Sequence, residues 1–142
     1  MAAYIGIDPG KQGAISCVDG SLVETIRLSE TVTDVIEWLR EHDYARFAFL
    51  ENVHSSPQMG VKSVFTFGQG FGTLIGVLYA VGIPFELVNP QKWQKAMGCM
   101  TKGDKNVSKA AAQRLFPRLK ITHADADSLL IAEYCRRIKG DN

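Results

Sequence analysis

The segment Ala3-Tyr-Ile-Gly-Ile-Asp8-Pro-Gly-Lys-Gln-Gly13-Ala-Ile-Ser-Cys-Val18 constrains the fold more than any other part of the chain. Two apolar runs flank a short polar break that carries Pro9, Gly10 and Gly13. The pattern predicts a strand, a tight turn and a second, antiparallel strand. Ile5 and Ile7 alternate with Gly6 and Asp8, which puts Asp8 on the face opposite the isoleucines. Gly6 is expected to leave that face open beside the carboxylate. Asp8 then has two readings: a metal ligand at the end of a central strand, or a turn residue bonding its own backbone.

The rest of the chain supplies the neighbours of this hairpin. Asp19-Gly20 is a turn signal, and a third strand is expected over 22–28. Val32, Val35, Ile36 and Leu39 recur at helical spacing over 32–42, with Thr31 or Thr33 as the cap. A fourth strand, 45–51, also ends on a carboxylate, Glu51. A turn-rich loop to Gly60 leads into a long helix marked by Val61, Val64, Phe65, Phe71, Leu74, Ile75, Leu78 and Tyr79. A fifth strand is expected at 83–88 and a short helical turn from Asn89-Pro90 to Met97. A helix around Val107–Leu115 stops at Pro117, and a last helix runs from about Ala124 to Ile138.

A three-strand meander followed by strands joined through helical crossovers predicts an α/β fold. It has a mixed five-stranded sheet, the meander plus two parallel strands, with helices on both faces. No repeat or long linker divides residues 1–142, so one domain is expected. Sites in such sheets form beyond the strand ends.

Composition excludes several classes of protein. The chain is 46% hydrophobic and 22% charged, as in a globular domain. The longest apolar run, Phe71 to Phe85, is broken by Gly72, Thr73, Gly76, Gly82 and Pro84, so no membrane span is expected. The first residues enter a strand directly, with no signal-peptide pattern. Three widely spaced cysteines, Cys17, Cys99 and Cys135, argue against a disulfide framework or zinc site and for a cytoplasmic, reducing setting. Net charge is only +1, yet residues 92–120 hold eight of the sixteen Lys and Arg and one acid, Asp104. That asymmetry is the footprint of a polyanion-binding segment, against the blander reading of a solvated helix face.

Three acidic points stand out: Asp8, Glu51, and Asp125 with Asp127 in His123-Ala-Asp-Ala-Asp127. Carboxylates at the same end of neighbouring strands lie about 5 Å apart laterally. They repel unless a cation sits between them, and oxygen ligands select hard ions such as magnesium or manganese. A pair of such ions can stabilise both the attacking and the leaving oxygen of a phosphodiester displacement. Taken singly, Glu51 reads equally as a surface residue, and Asp125 or Asp127 as a helix cap.

Tyr4-Ile-Gly-Ile-Asp8-Pro-Gly, Phe47-Ala-Phe-Leu-Glu51 and Ala124-Asp-Ala-Asp127-Ser-Leu-Leu-Ile-Ala-Glu-Tyr resemble the RuvC-like Holliday junction resolvases of the ribonuclease H-like superfamily. The similarity runs in order through nearly the whole chain, including the Ser56-Pro-Gln-Met-Gly loop and the Lys102–Lys109 segment. The short forms of phages and organelles are nearest. The resemblance implies a homodimer that nicks two opposed strands of a four-way DNA junction, with Mg2+ or Mn2+, two ions per site, and no small-molecule cofactor. Asp8, Glu51 and Asp127 match the family's metal-binding acids. Many members carry a further acid or histidine three residues before the last aspartate; here that position is Ala124. The fourth active-site group then lies between His123, one turn before Asp127, and Asp125.

For DNA contact, the glycine-rich stretch from Gln58 to Gly72 presents Lys62, Phe67 and Gln69. Phe67 falls off the apolar stripe and is the candidate for stacking on an unpaired base, with Gln69 near bases; Phe65 and Phe71 are expected in the core. Lys102, Lys105 and Lys109 are candidates for phosphate contact, and Lys11 for the scissile phosphate. Three rival readings stand beside this one. They are a ribonuclease H-type enzyme on RNA–DNA hybrids, an ATPase-like phosphate-binding module built on Asp8-Pro-Gly, and a non-catalytic nucleic-acid-binding protein.

Overall fold

The computed structural model describes residues 2–20, 22–100 and 103–140. The opening hairpin forms as β1 (Ala3–Asp8) and β2 (Ala14–Asp19), with Asp8 opposite Ala14. Gly13 closes the turn, donating its N–H to the Gly10 carbonyl at 2.9 Å. A Cβ on Gly13 would run into the backbone of Asp8, so the turn admits only glycine there. β3 (Leu22–Arg27) completes the antiparallel meander.

After α1 (Val32–Glu41), capped by Thr31, the chain returns as β4 (Phe47–Glu51), parallel to β1 on its free edge. α2 (Val61–Val81) then crosses to β5 (Phe85–Val88), parallel to β4. The sheet order is β3-β2-β1-β4-β5. Three helices follow: α3 (Pro90–Ala96), α4 (Lys105–Leu115) and α5 (His123–Lys139). Boundaries differ from the sequence expectation mainly at element starts. α5 begins at His123 because the Thr122 side chain accepts the Asp125 N–H and so fixes the first turn there.

Strand alternation divides the core into two layers. Ile5, Ile7, Ile15 and Leu50 pack with Val35, Leu39, Leu74 and Leu78 of α1 and α2. Tyr4, Phe49 and Val88 pack on the other face with Trp93, Leu129, Leu130 and Tyr134 of α3 and α5. Each of these large side chains contributes roughly 1.5–3 kcal/mol by leaving water.

The face beside Asp8 is not open, contrary to the expectation for Gly6. α5 lies directly on it, and a Cβ on Gly6 would strike the backbone of Ser128, Ile131 and Ala132. The glycine there permits helix-to-strand contact. A hydroxyl chain, buried at Ser16 and Ser128 and reaching the surface at Thr25, joins the same layers: Ser16 Oγ lies 2.7 Å from Ser128 Oγ and 2.8 Å from Thr25 Oγ1.

α2 forms as the one long helix that its apolar spacing predicts, but its apolar length exceeds the expectation. It runs unbroken through Gly68, Gly70, Gly72 and Gly76, and by length and composition it is long and apolar enough to cross a membrane. Glycine lowers helix propensity by about 1 kcal/mol each without forcing a break. Leu74, Val77 and Leu78 anchor its second half in the core, whereas Val61, Phe65 and Tyr79 are exposed. Cys17, Cys99 and Cys135 are buried and unpaired.

Candidate active site

β1 and β4 run parallel with Ile7 beside Leu50. This register brings the last residues of both strands, Asp8 and Glu51, side by side at the carboxyl end of the sheet. Both lie on the α5 face, because Asp8 has the parity of Gly6 and Glu51 that of Phe49. Asp127 enters from the first turns of α5, which packs across β1.

The electrostatics tie these three together. Burial pushes Glu51 up to about 7; the charges of Asp8 and Asp127 push the same way, and a hydrogen bond from Trp93 opposes them. Burial pushes Asp127 up to about 6, aided by Asp8 and opposed by a hydrogen bond with Ser108 and the charge of Lys105. Burial also raises Asp8, against the Gly10 N–H and Lys105. Gly10 donates to Asp8 Oδ1 at 3.2 Å, so Asp8 bonds its own turn, as the turn reading expects, while its charge acts on Glu51 and Asp127.

Trp93 is a site residue that sequence reasoning missed. Its indole Nε1–H donates to Glu51 Oε2 at 2.7 Å, and the side chain is fully buried. Pro90 opens α3 directly after β5, and the short helix carries Trp93 back beneath β4. A lone tryptophan in a basic segment carries no sequence signal for such a bond. Ser108 was missed as well; it lies one turn beyond Lys105 on α4, on the face toward α5.

Neither candidate for a fourth group joins the three acids. Asp125 turns to β3, where Arg27 Nε lies 3.6 Å from its Oδ1 and Arg27 Nη2 donates to Thr122 Oγ1 at 3.2 Å. His123 is exposed, with Nε2 2.9 Å from Asn106 Oδ1. Because α5 starts at His123, Asp125 sits in its first turn, angled away from Asp127. The sequence offered these two for the fourth position; here Asp125 is engaged by Arg27 and His123 by Asn106.

The donor set suits a hard divalent cation. All three carboxylates are held above their ordinary range by burial and two of them by mutual repulsion, and a cation relieves both. As they stand, no three His, Cys, Asp or Glu side chains among the described residues close around one point.

The expected DNA contacts fall in two places. Lys105, the first residue of α4, is exposed and close enough to Asp8 and Asp127 to pull both down. Lys109 is half-buried one turn on, and Lys102 lies outside the described residues. Lys11, Lys62 and Phe67 line a cleft of about 680 Å³ between α2, the β1–β2 turn and the start of α1. Gln69 is exposed beside it. Phe71 packs on the core as expected, but Phe65 is 67% exposed and Phe67 only half-buried. α2 meets the sheet with its second half, so the apolar stripe of its first half has no floor beneath it.

A mixed sheet in the order β3-β2-β1-β4-β5, with an antiparallel meander, two parallel additions and helices on both faces, defines the RuvC/ribonuclease H-like fold. Solved structures share it, among them two of RuvC. Thermus thermophilus RuvC in complex with a Holliday junction substrate is 14% identical, over 99% of this chain and 97% of that one, with a TM-score of 0.63. The structure of Thermus thermophilus RuvC is 15% identical, over 97% and 96%, with a TM-score of 0.61. No family model and no curated protein matches the sequence. The likeness establishes the fold; the chemistry rests on the residues.

Proposed function

We propose that this chain is a metal-dependent, structure-selective DNA endonuclease that resolves four-way junctions by paired nicks, acting as a homodimer. The observation that carries this reading is the meeting of Asp8, Glu51 and Asp127 at one end of the sheet, with Lys105 alongside. Support comes from the shared fold with a RuvC whose structure holds a Holliday junction.

In this reading Asp8, Glu51 and Asp127 would hold the Mg2+ or Mn2+, which would supply the charge for activating water and stabilising a departing 3′-oxygen. The protein's own groups do the rest. Trp93 fixes the orientation of Glu51, and Ser108 that of Asp127. Lys105 neutralises an oxygen of the scissile phosphate, and Lys109 with Lys102 positions the adjoining duplex. Two equivalent sites on a two-fold axis match a two-fold junction, which calls for a C2 dimer. Val61, Phe65 and Tyr79, exposed along α2, are the apolar surface such an interface would cover.

Incubation with a labelled four-way junction, an RNA–DNA hybrid and ATP, each with and without magnesium, tests the reading. Paired junction nicks that require magnesium are expected. Hybrid cleavage alone, ATP hydrolysis alone, or binding without cleavage would each install a rival. Light scattering at micromolar concentration is expected to return twice the 15.6 kDa chain mass. A species of only 15.6 kDa would remove the dimer.

A further inference from the structure

Most of β3 is exposed, yet two polar connections tie it to the first turns of α5. Val23, Thr25 and Arg27 share the strand face toward α5, and Val23 packs on the core layer there. Arg27 pairs with Ala14, and Ala14 with Asp8. Arg27 therefore stands in the same row as Asp8, two strands and about 10 Å away.

The two connections end on either side of Asp127. Ser128 Oγ donates to the Asp125 carbonyl at 2.9 Å, which fixes the direction of the hydroxyl chain behind it: Thr25 donates to Ser16, and Ser16 to Ser128. Arg27 takes the other side. Its Nη2 donates to Thr122 Oγ1 at 3.2 Å, and its Nε lies 3.6 Å from Asp125 Oδ1. The same Thr122 oxygen accepts the Asp125 N–H in the first turn of α5. Asp125 is thus held at its amide, its carboxylate and its carbonyl, two residues before Asp127.

Contacts of this kind contribute little to the stability of a fold. The Arg27 side chain is 52% exposed, and an ion pair at that exposure is screened by water. What they supply is geometry. A guanidinium is a planar fork that can engage two acceptors at once, and a metal-ligating side chain must be held within roughly 0.5 Å. We infer that Arg27 is a positioning residue for the acidic site: by clamping Thr122 and Asp125 it sets where Asp127 stands against Asp8 and Glu51. The inference rests on the proposed metal site for its chemical consequence.

Charge and position call for opposite signs, which makes the role testable. Removing a cation from beside three acids, by charge alone, tightens the binding of a metal ion. Displacing Asp127 weakens it. Arg27→Met keeps a long side chain and loses both the fork and the charge. Manganese uptake by the full chain is followed through the EPR signal of the free ion. The variant is expected to bind Mn2+ about tenfold more weakly than the wild type, the scale on which groups that orient metal ligands act. Arg27→Lys restores the charge without the fork and is expected to stay weaker than the wild type. Amide hydrogen exchange in EDTA reads the clamp without metal. In Arg27→Met the N–H groups of Asp125, Ala126 and Asp127 are expected to exchange several-fold faster, with those of Leu129 to Ala132 unchanged.

Equal or tighter Mn2+ binding by Arg27→Met overturns the inference. So does full recovery in Arg27→Lys, which would make Arg27 a charge and not a clamp. Exchange that quickens along the whole of α5 overturns it too, because that is a loss of fold stability and not of position. A wild type that takes up no Mn2+ fails the metal-site reading instead, and the exchange pattern then decides the clamp by itself.

Discussion

Trp93 donates its indole N–H to Glu51 Oε2 at 2.7 Å, from a fully buried position beneath β4. This bond favours the ionised carboxylate, against burial and two neighbouring acids that favour the protonated one. Trp93→Phe removes the donor and keeps most of the volume. A hydrogen bond to a charged group contributes roughly 1.5–3 kcal/mol, so Glu51 should titrate higher still. In EDTA, the Glu51 carboxyl titration followed by 13C NMR is expected to move up by about one unit or more. A titration that stays in place would show that the Trp93 bond does not favour the ionised Glu51.

Asp8→Asn is expected to abolish cleavage and leave junction binding largely intact. The amide oxygen can still accept the Gly10 N–H, so the turn survives. The melting temperature in EDTA should rise, because burial holds the Asp8 carboxylate above its ordinary range and the ionised form is the costly one. Magnesium should raise the wild-type melting temperature and affect the variant much less. Equal magnesium gains in both proteins would take Asp8 out of the metal site.

Stability without metal should depend on pH in a particular direction. Glu51 moves from its ordinary 4.5 to about 7 in the fold, so the folded state binds more protons across that window. Stability therefore falls as pH rises from about 4.5 to about 7, by roughly 3 kcal/mol for this group. Asp127 adds a loss of the same sign between 3.8 and about 6. Urea unfolding in EDTA across this range checks the slope, and Glu51→Gln should flatten it. A wild type that gains stability over the same window contradicts the electrostatic account.

Gly6→Ala is expected to destabilise the fold by about 3 kcal/mol or more, although alanine suits a strand better than glycine. The added methyl meets the backbone of α5, and backbone cannot step aside as a flexible side chain does. α5 would have to shift, taking Asp127 with it. Thermal melting measures the cost, and an unchanged melting temperature would show that α5 does not pack on β1 this closely.

Replacing Lys105 and Lys109 by alanine should weaken junction binding and flatten its salt dependence. Each lost phosphate contact lowers the log–log slope by roughly 0.9. Lys105→Ala should also slow cleavage at saturating enzyme more than Lys109→Ala does, because only Lys105 lowers both Asp8 and Asp127. Equal effects would make both lysines mere contributors to affinity.

The sheet was legible because local rules speak directly to it. Alternating apolar residues, Pro-Gly turns and crossover lengths give five strands in the right pairing, and they place Asp8 and Glu51 at strand ends. The register also makes their adjacency readable: a parallel β1–β4 pair ending on two acids puts those acids together. Helix faces were less legible. Phe65 and Phe71 share one stripe in sequence, yet only Phe71 has sheet beneath it.

Sequence by itself determined which residue types stand at the ends of which elements, because hydrophobic periodicity and turn chemistry act over a few residues. Tertiary structure decided what those residues meet. Gly6 reads as an open face until α5 lies on it. Asp125 and Asp127 are two residues apart, and only the start of α5 at His123, capped by Thr122, sends one to Arg27 and leaves the other with Asp8 and Glu51. Trp93 reaches Glu51 from 42 residues away, a contact set by how α3 folds back after β5. Such contacts come from packing whole elements against one another. The energy that selects them is spread over two core layers, and no short motif records it.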